Sequence, residues 1–305
     1  MAHLQASQLF SVQDRVVVIT GGGSGLGRTM ARTLSTNGAS KIFVLGRRED
    51  ALHETVSQSE SSGVVIPVPC DVTSKESLEA AYQTIAAQTS HVDLLVANSG
   101  TMGTQMRPPG PKADGSNPTL SEVRDTLFSI PMEDFSSVLN VNVVGAYYTV
   151  LAFLPLLEAA NKRRPAPERD VLTPPSAQVV ITSSIAGFIR LVPFSYAYNL
   201  SKAATTHLVK MLSTTLAPYQ IRVNGITPGM YHSEMADPLY ANGGVQGLGI
   251  SEGSFAKESI PATRGGGEQD IAGLIVWMAS ASGGYLNGSI MVTDGGRLGV
   301  VPSVY

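Results

Sequence analysis

The sequence predicts an α/β protein whose doubly wound, mainly parallel sheet of seven strands carries helices on both faces. Two observations support this class: seven short apolar runs rich in β-branched residues, and amphipathic helical stretches between them. Alternating strands and helices are typical of parallel sheets built from right-handed crossovers. The predicted strands are 15–20, 41–46, 63–68, 92–98, 177–183, 221–227 and 289–294.

The alternation continues along the whole chain, so we interpret residues 1–305 as a single domain. Stretches near 106–120 and 161–176 are rich in proline and charge, and we expect them to be exposed loop insertions. The stretch near 231–260 combines glycines with scattered apolar residues. That mixture favours a mobile flap over an apolar ligand.

Composition excludes several classes of protein. A net charge of -3 and a pI near 6.0 give no basic surface for nucleic acid or an anionic membrane. The single cysteine, Cys70, excludes an internal disulfide, and the five histidines lack the spacing of metal ligands. We therefore predict no metal.

The apolar run 143–157 is shorter than the about 20 residues that span a bilayer. We predict a helix buried in the core or in a subunit interface instead. The first fifteen residues do not place a basic region before an apolar core, so we expect a cytoplasmic protein without a secretory signal.

A glycine-rich turn, "TGGGSGLGRTMA" (20–31), follows the first strand and opens the first long helix. The free N–H groups and partial positive charge of a helix N-terminus suit a pyrophosphate, and glycines let the backbone approach it closely. The pattern in this context indicates a dinucleotide site. The residues assigned to it are Gly21, Ser24, Gly25, Leu26 and Gly27.

The end of the second strand indicates which dinucleotide binds. A carboxylate there normally accepts the adenosine ribose hydroxyls, but this strand ends in Gly46 followed by Arg47 and Arg48. Guanidinium groups match a 2′-phosphate, which favours NADPH over NADH. The alternative is that the two arginines only cover the surface of the next helix.

Tyr198 and Lys202 lie four residues apart on a predicted helix, hence on one face. An ammonium beside a phenol favours the phenolate and lowers a pKa that is otherwise near 10. Tyr196 has Leu200 at the same spacing, so the pairing selects Tyr198 as a proton-transfer residue.

Two further polar residues accompany this pair. Ser184 follows the strand 177–183, at the end of a sheet where ligands bind, and its hydroxyl can donate to a carbonyl oxygen. Asn142 lies in a largely apolar helix, where its buried amide needs partners. A water chain toward Lys202 would supply them, although a structural asparagine satisfied by the protein is the simpler interpretation.

Taken together, the motifs resemble the short-chain dehydrogenase/reductase family in its compact, single-domain branch with a Rossmann-type fold. The C-terminal "RLGVVPSVY" and the stretch "SGGYLNG" resemble fungal members. The motifs that carry the resemblance, in the order of the family, are "TGGGSGLG", "CDVT" (70–73), "ANSG" (97–100), "NVNVVG" (140–145), "SSIAG" (183–187), "YNLSK" (198–202), "PGMYHSEM" (228–235) and "GSIMVTDGG" (288–296).

The resemblance implies a role for each catalytic residue. Tyr198 would be the general acid, Lys202 would lower its pKa and bind the nicotinamide ribose, and Ser184 would hold the substrate oxygen. Asn142 would anchor a proton-relay water. The spacing from serine to tyrosine is one residue longer than usual, so Ser183 is an alternative to Ser184.

The resemblance also implies cofactor contacts. Asp71 and Val72 would contact the adenine, Asn98 the backbone on the cofactor side, and Ser233 the nicotinamide carboxamide. Pro228 and Gly229, in the motif that contains Ser233, complete the predicted cofactor set.

The leading hypothesis is an NADPH-dependent ketoreductase, or the reverse alcohol oxidation, acting on a hydrophobic, secondary-metabolite-like carbonyl compound. The alternatives are a reductase of carrier-bound 3-oxoacyl groups and a non-catalytic protein that senses NADP. A homodimer or homotetramer with twofold symmetry is expected. A set of apolar residues is predicted to face the ligand, with closure of the core over the cofactor as the alternative. They are Ile189, Leu191, Val192, Phe194, Met235, Leu239, Tyr240, Leu248, Ile250 and Phe255.

Overall fold

The computed structural model describes residues 4–170, 172–237, 240, 245 and 247–305. Leu239 and several of its neighbours in the predicted flap lie outside the described residues. No cis peptide bond occurs in the described part of the chain.

Seven parallel strands form one sheet, which confirms the predicted fold class, and each strand lies within two residues of its predicted bounds. The spatial order is β3-β2-β1-β4-β5-β6-β7, and every neighbouring pair is parallel. The strands are β1 (Val16–Thr20), β2 (Lys41–Gly46), β3 (Val65–Pro69), β4 (Leu94–Ala97), β5 (Gln178–Thr182), β6 (Arg222–Pro228) and β7 (Ile290–Thr293).

The direction of winding reverses between β1 and β4. The first three strands extend toward one edge of the sheet, and β4 to β7 extend toward the other. At such a reversal the connections leave in opposite directions and open a crevice at the carboxyl ends of the strands. The fold therefore places a ligand site beyond Thr20 and Ala97.

Helices cover both faces of the sheet. Ser74 caps the fourth helix, since its Oγ accepts a hydrogen bond of 3.1 Å from the backbone N–H of Ser77. The helices are α1 (Ala6–Leu9), α2 (Gly25–Thr36), α3 (Glu49–Ser57), α4 (Lys75–Ala86), α5 (Leu120–Phe128), α6 (Met132–Leu139), α7 (Ala146–Lys162), α8 (Tyr196–Thr215) and α9 (Glu268–Ala279).

The two faces of the sheet carry separate apolar cores. Phe43 and Leu95 pack with residues of α4, α7 and α8 on one face, and Ile42 and Val96 pack with residues of α2, α3 and α9 on the other. Successive side chains of a strand point to opposite faces, so continuous apolar strands supply both layers.

Helices α6 and α7 are joined by a π-helical segment, Asn140–Gly145, into one helix over Met132–Lys162. By length and composition alone this helix could cross a membrane. In the fold, Val150, Phe153 and Leu157 are fully buried within the core shared with α4 and the sheet. Burial in this core is sufficient to explain the apolar face of the helix.

The two stretches predicted to be loop insertions lie beside these helices. Residues 107–119 form an irregular segment that ends where Thr119 caps α5. Beyond Lys162 the chain is likewise irregular up to β5, among the residues described there. The first insertion contacts the start of α8, because Met106 forms a β-bridge with Ser195, just before that helix.

Candidate active site

The glycine-rich turn lies at the carboxyl end of β1, where the winding reverses. Gly21 and Gly25 adopt left-handed conformations with φ of +65° and +49°. A Cβ on Gly27 would lie 2.2 Å from the Gly21 carbonyl oxygen, so only glycine lets α2 pack this closely. The glycines therefore leave the free N–H groups at the N-terminus of α2 uncovered by side chains of the turn.

Asn98 ties the end of β4 to this turn. Its side-chain Nδ2 donates to the carbonyl oxygens of Thr20 (3.2 Å) and Gly21 (3.3 Å), and its backbone N–H donates to Thr20 Oγ1 (3.0 Å). The predicted place of Asn98 on the cofactor-side backbone agrees with this geometry. Its side chain holds the turn in place through the carbonyl oxygens of Thr20 and Gly21.

A cavity of about 230 Å³, called the main cavity below, opens in front of the turn. Loops from the carboxyl ends of β1, β4, β5 and β6 and the first turns of α8 form its walls. The predicted site residues that line it are Gly21, Ser24, Gly25, Leu26, Asn98, Ser184, Tyr198, Lys202, Pro228, Gly229 and Ser233. Gly27 and Asn142 stand behind this wall and support it.

A second cavity, of about 360 Å³, adjoins the main cavity along the glycine-rich turn, and Gly21, Ser24 and Gly100 line both. It collects the residues predicted to bind the adenosine half: Arg47, Arg48, Asp71 and Val72. The predicted cofactor residues thus lie along one continuous groove that passes the N-terminus of α2.

The arginines at the end of β2 differ in their contacts. Arg48 forms an exposed ion pair with Glu234 at 2.9 Å and approaches Ser24 Oγ at 3.4 Å. Arg47 lines the cavity without an ion pair among the described residues.

Asp71 accepts hydrogen bonds from the hydroxyl and backbone N–H of Thr73, which lower the pKa of its carboxyl group.

Tyr198 and Lys202 lie on one face of α8, as the spacing predicts, and both are buried. Ser195 caps this helix by accepting a hydrogen bond of 3.1 Å from the backbone N–H of Tyr198. Tyr196 is 42% exposed and does not line the main cavity. The geometry therefore favours Tyr198 over Tyr196 as the reactive phenol.

Burial dominates the protonation of this pair. It raises the pKa of Tyr198, an effect opposed by hydrogen bonding from the Ser184 hydroxyl, and it lowers the pKa of Lys202 to about 8. Lys202 Nζ donates to the carbonyl oxygen of Thr182 at 3.0 Å and lies 5.8 Å from the centre of the Tyr198 ring. At neutral pH the phenol therefore keeps its proton and the lysine remains largely charged.

This direction for Tyr198 is opposite to the one expected from the nearby ammonium alone. The reason is that the phenol is removed from water, which disfavours its charged form. A protonated phenol is the form that a general acid needs.

The two serines that end β5 have different surroundings. Ser183 Oγ donates to the carbonyl oxygen of Lys202 at 2.8 Å and lies 2.8 Å from Thr206 Oγ1, so it joins the strand to α8. Ser184 Oγ accepts from the backbone N–H of Ala186 at 3.2 Å, and its hydroxyl interacts with the Tyr198 phenol in the cavity wall. The geometry favours Ser184 as the group that contacts a substrate.

Asn142 lies in the π-helical segment, and its side chain is satisfied by the protein. Oδ1 accepts from the backbone N–H of Thr101 (2.8 Å), and Nδ2 donates to the carbonyl oxygen of Thr101 and to Ser201 Oγ (both 2.9 Å). Asn142 thus braces the loop after β4 against α8, as a structural asparagine would. Its role as anchor of a relay water stays a prediction.

The apolar wall differs in part from the predicted set. Ile189, Phe194 and Met235 line the main cavity, whereas Leu191 and Leu248 are more than half exposed. Tyr240 is buried elsewhere in the flap, where its ring contacts Phe255 and His232 edge-on, each at 5.7 Å between centroids. Val192 and Ile250 do not line the cavity either.

The structure adds lining residues that the sequence analysis did not single out. Several lie within the motifs and the strand quoted from the sequence, but distant parts of the chain position their loops, so no local pattern shows which side chains reach the cavity. They include Thr101, Met102, Thr182, Ile185, Met230, Tyr231, Glu234 and Arg297. Among the described residues, no group of three or more His, Cys, Asp or Glu side chains could hold a metal ion.

Comparisons with known proteins agree with this geometry. The family model described as short chain dehydrogenase matches residues 15–243. The short-chain dehydrogenase/reductase PhomF of Diaporthe leptostromiformis is 39% identical over 302 residues, covering 99% of this chain and 97% of the relative. A rhamnolipids biosynthesis 3-oxoacyl-[acyl-carrier-protein] reductase of Pseudomonas aeruginosa is 29% identical over 288 residues, covering 94% and 97%.

Among solved structures, the Pseudomonas aeruginosa RhlG/NADP active-site complex superposes with a TM-score of 0.73 at 27% identity. It covers 95% of this chain and 98% of that one.

Replacing Gly27 by alanine is expected to weaken binding of a nicotinamide dinucleotide, because the new methyl group would lie 2.2 Å from the Gly21 carbonyl oxygen and would displace the turn. Overpacking against backbone typically costs about 1–3 kcal/mol, and a similar loss of binding free energy would raise the Kd by roughly tenfold in a fluorescence titration. Gly273→Ala is the matched control, since a Cβ there meets nothing within 4 Å. Equal dinucleotide affinity of the two variants would contradict this role of the glycine-rich turn.

Proposed function

Because this chain belongs to the short-chain dehydrogenase family, we propose that it is an NADPH-dependent ketoreductase. It would transfer a hydride between the nicotinamide and a ketone or secondary alcohol of a hydrophobic, secondary-metabolite-like compound. The observation that carries the proposal is the buried group of Ser184, Tyr198 and Lys202 on the wall of a cavity that continues into the glycine-rich groove.

The residues present fit a nicotinamide dinucleotide. The glycine cradle has no room for any side chain at Gly27, and Thr182 Oγ1 is buried in the cavity wall without a hydrogen-bond partner among the described residues. Asp71 and Val72 would hold the adenine, the N-terminus of α2 the pyrophosphate, and Lys202 the nicotinamide ribose. When bound, the cofactor supplies or accepts the hydride.

Two features support NADPH over NADH. The adenosine half of the groove contains Arg47 and Arg48, and no carboxylate follows β2 at Gly46. A 2′-phosphate would attract both guanidinium groups, and it would compete with Glu234 for Arg48. The similar RhlG structure is an NADP complex, which agrees with this preference.

The protein's own groups account for the proton in carbonyl reduction. Ser184 donates a hydrogen bond to the substrate oxygen and holds it beside Tyr198. As the carbon accepts a hydride, negative charge develops on that oxygen, and Tyr198 transfers its phenolic proton to it. Lys202 then stabilises the phenolate by its positive charge until a proton returns from solvent. Burial strengthens each of these electrostatic interactions.

The substrate end of the main cavity is mostly apolar. Met102, Ile185, Phe194, Met230 and Met235 contribute to its walls. Thioether side chains adapt to irregular ligands, which suits a bulky hydrophobic ketone.

A carrier-bound 3-oxoacyl group is the second candidate substrate. One relative of this chain is named a 3-oxoacyl-[acyl-carrier-protein] reductase. Assaying NADPH consumption with acyl thioester ketones beside cyclic and aromatic ketones separates the two candidates.

Tyr198→Phe is expected to lower the rate of ketone reduction by about 10²–10⁴, because the positioned proton donor is lost. The matched control is Tyr196→Phe, which removes the hydroxyl of the partly exposed tyrosine two residues earlier and should retain the wild-type rate. NADPH oxidation is followed spectrophotometrically with both variants.

A Tyr198→Phe variant as active as the wild type would contradict the proposed acid. A wild type that binds NADPH but reduces no ketone of the panel would instead favour the cofactor-sensing alternative.

The double variant Arg47→Ala, Arg48→Ala should lose affinity for NADPH and keep its affinity for NADH. Hydrogen bonds to charged groups contribute about 1.5–3 kcal/mol each, so the Kd for NADPH should rise by roughly tenfold or more. The control pair, Arg163→Ala with Arg169→Ala, removes two exposed arginines outside both cavities. Parallel weakening of NADPH and NADH would show that the two arginines do not select the 2′-phosphate.

The proposal includes assembly into a twofold-symmetric homodimer or homotetramer, as is typical of the family. Apolar side chains of the α7–α8 region are exposed in the single chain: Val144 (43%), Tyr147 (38%), Leu200 (53%) and Met211 (57%). Covering such a face with a second copy is the usual outcome in symmetric oligomers.

Light scattering should therefore give a mass of two or four times 32.0 kDa. Leu200→Arg should lower that mass, while Leu120→Arg, on the exposed start of α5, should not. A wild-type mass of 32.0 kDa would contradict the assembly.

A further inference from the structure

Arg297 lies in the wall of the main cavity, whose proposed substrate end is otherwise mostly apolar. It begins a short 3-10 turn, Arg297–Gly299, after β7. The turn is held by Asp294, whose carboxylate accepts from the backbone N–H groups of Gly296 (2.9 Å) and Leu298 (2.8 Å). The buried Leu298 side chain anchors it, so the backbone that carries Arg297 is well defined.

The same segment contacts the loop that follows Ser184. Downstream of Arg297, Ser303 forms an antiparallel β-bridge with Ile189, and Arg190 N–H donates to the Pro302 carbonyl oxygen at 2.9 Å. Ile189 follows Ser184 in the chain and lines the cavity with it. The C-terminal segment thus borders the wall expected to contact the carbonyl compound.

The guanidinium group is anchored by neutral acceptors. Nη1 of Arg297 donates to the carbonyl oxygen of Ser259 (2.9 Å) and to its hydroxyl (2.6 Å). No carboxylate pairs with Arg297 within the part of the chain that the structure describes, in contrast to Arg28 and Arg264, which pair with Glu54 and Asp270. Its positive charge is oriented but not neutralised by direct contact.

Partial burial strengthens the electrostatic interactions of the Arg297 charge. Burial lowers the pKa of Arg297, an effect that the charge of nearby Asp294 opposes, and the group stays cationic at neutral pH because its ordinary pKa is so high. A partly desolvated cation interacts strongly with an anion that enters the same cavity. The planar fork of a guanidinium matches the two oxygens of a carboxylate.

We propose that Arg297 is a specificity-determining residue that binds a carboxylate on the substrate. The preferred substrate class would be hydrophobic keto acids, whose ketone reaches Ser184 and Tyr198 while the acid end contacts Arg297. This inference rests on the proposed function for the identity of the carbonyl site, and it adds the chemistry of the other end of the ligand.

The test measures binding without turnover. With NADP⁺ saturating, no hydride is available, so calorimetry gives the Kd of a ketone as a simple ligand. The probes are 4-oxo-4-phenylbutanoic acid and its methyl ester, which differ only in the charged group. Wild type should bind the acid roughly tenfold to a hundredfold more tightly than the ester, as expected for a charge-assisted hydrogen bond.

Arg297→Gln should abolish this preference by weakening the binding of the acid and not that of the ester. Arg297→Lys keeps the positive charge but loses the planar guanidinium, so it should retain part of the preference. Arg190→Gln is the matched control, because it removes an exposed arginine outside the cavity lining and should leave both affinities unchanged. The Kd for NADPH should be the same in all four proteins.

Equal affinity of wild type for the acid and the ester, or failure to bind the acid at millimolar concentration, would overturn the proposal. So would a loss of NADPH affinity in Arg297→Gln, since it would assign the arginine to the cofactor. The comparison in wild type needs no variant to fold. Because no hydride transfer is measured, a protein that reduces nothing can still show the preference for acids, so failure of the proposed function is distinguishable.

Discussion

The site depends on a polar stripe of α8 that is buried in the middle of the protein. Tyr198, Ser201, Lys202 and Thr205 face inward on successive turns, where unpaired polar groups would cost free energy. Neighbouring elements provide most of the partners. Thr182 accepts from Lys202, and Asn142 contacts both Ser201 and Thr205 through its side chain and carbonyl oxygen. The need for hydrogen-bond partners of the buried polar side chains of α8 therefore positions the end of β5 and the π-helical segment.

The same requirement shapes the electrostatics of the site. Burying a phenol and an ammonium in the wall of the cavity raises the pKa of Tyr198 and lowers the pKa of Lys202. The result is a proton donor that remains protonated and a lysine whose charge is only weakly screened. Asn142 contributes at a distance, because its amide holds Thr101 in the loop that borders the cavity.

The two halves of the groove are built on different principles. Backbone groups dominate the part of the groove at the glycine-rich turn, where Gly21 and Gly27 leave no room for a side chain and Asn98 locks the turn. The part proposed to hold the substrate is lined by side chains from loops: Met102 after β4, Met230 after β6, and Arg297 after β7. A backbone site suits a ligand that does not change, whereas loop side chains can vary with the substrate.

The strands and most of the cofactor groove could be predicted because their causes are local. Apolar β-branched runs define parallel strands. The positive φ of Gly21 and the close approach at Gly27 belong to a turn formed by neighbouring residues in the sequence. The pairing of Tyr198 with Lys202 is equally local, since it needs only the repeat of one helix.

Only the tertiary structure favours Ser184 over Ser183 as the substrate contact, because the hydrogen bond from Ser183 to α8 depends on how strand and helix pack. It also raised the pKa of Tyr198 through burial, which no spacing encodes. The ion pair of Arg48 with Glu234, and the shared cavity of Arg297 and Ile189, bring together residues more than a hundred positions apart. The sequence determined the elements and the residues within each, and the fold decided which side chains share a cavity, since that depends on distances between elements remote in the chain.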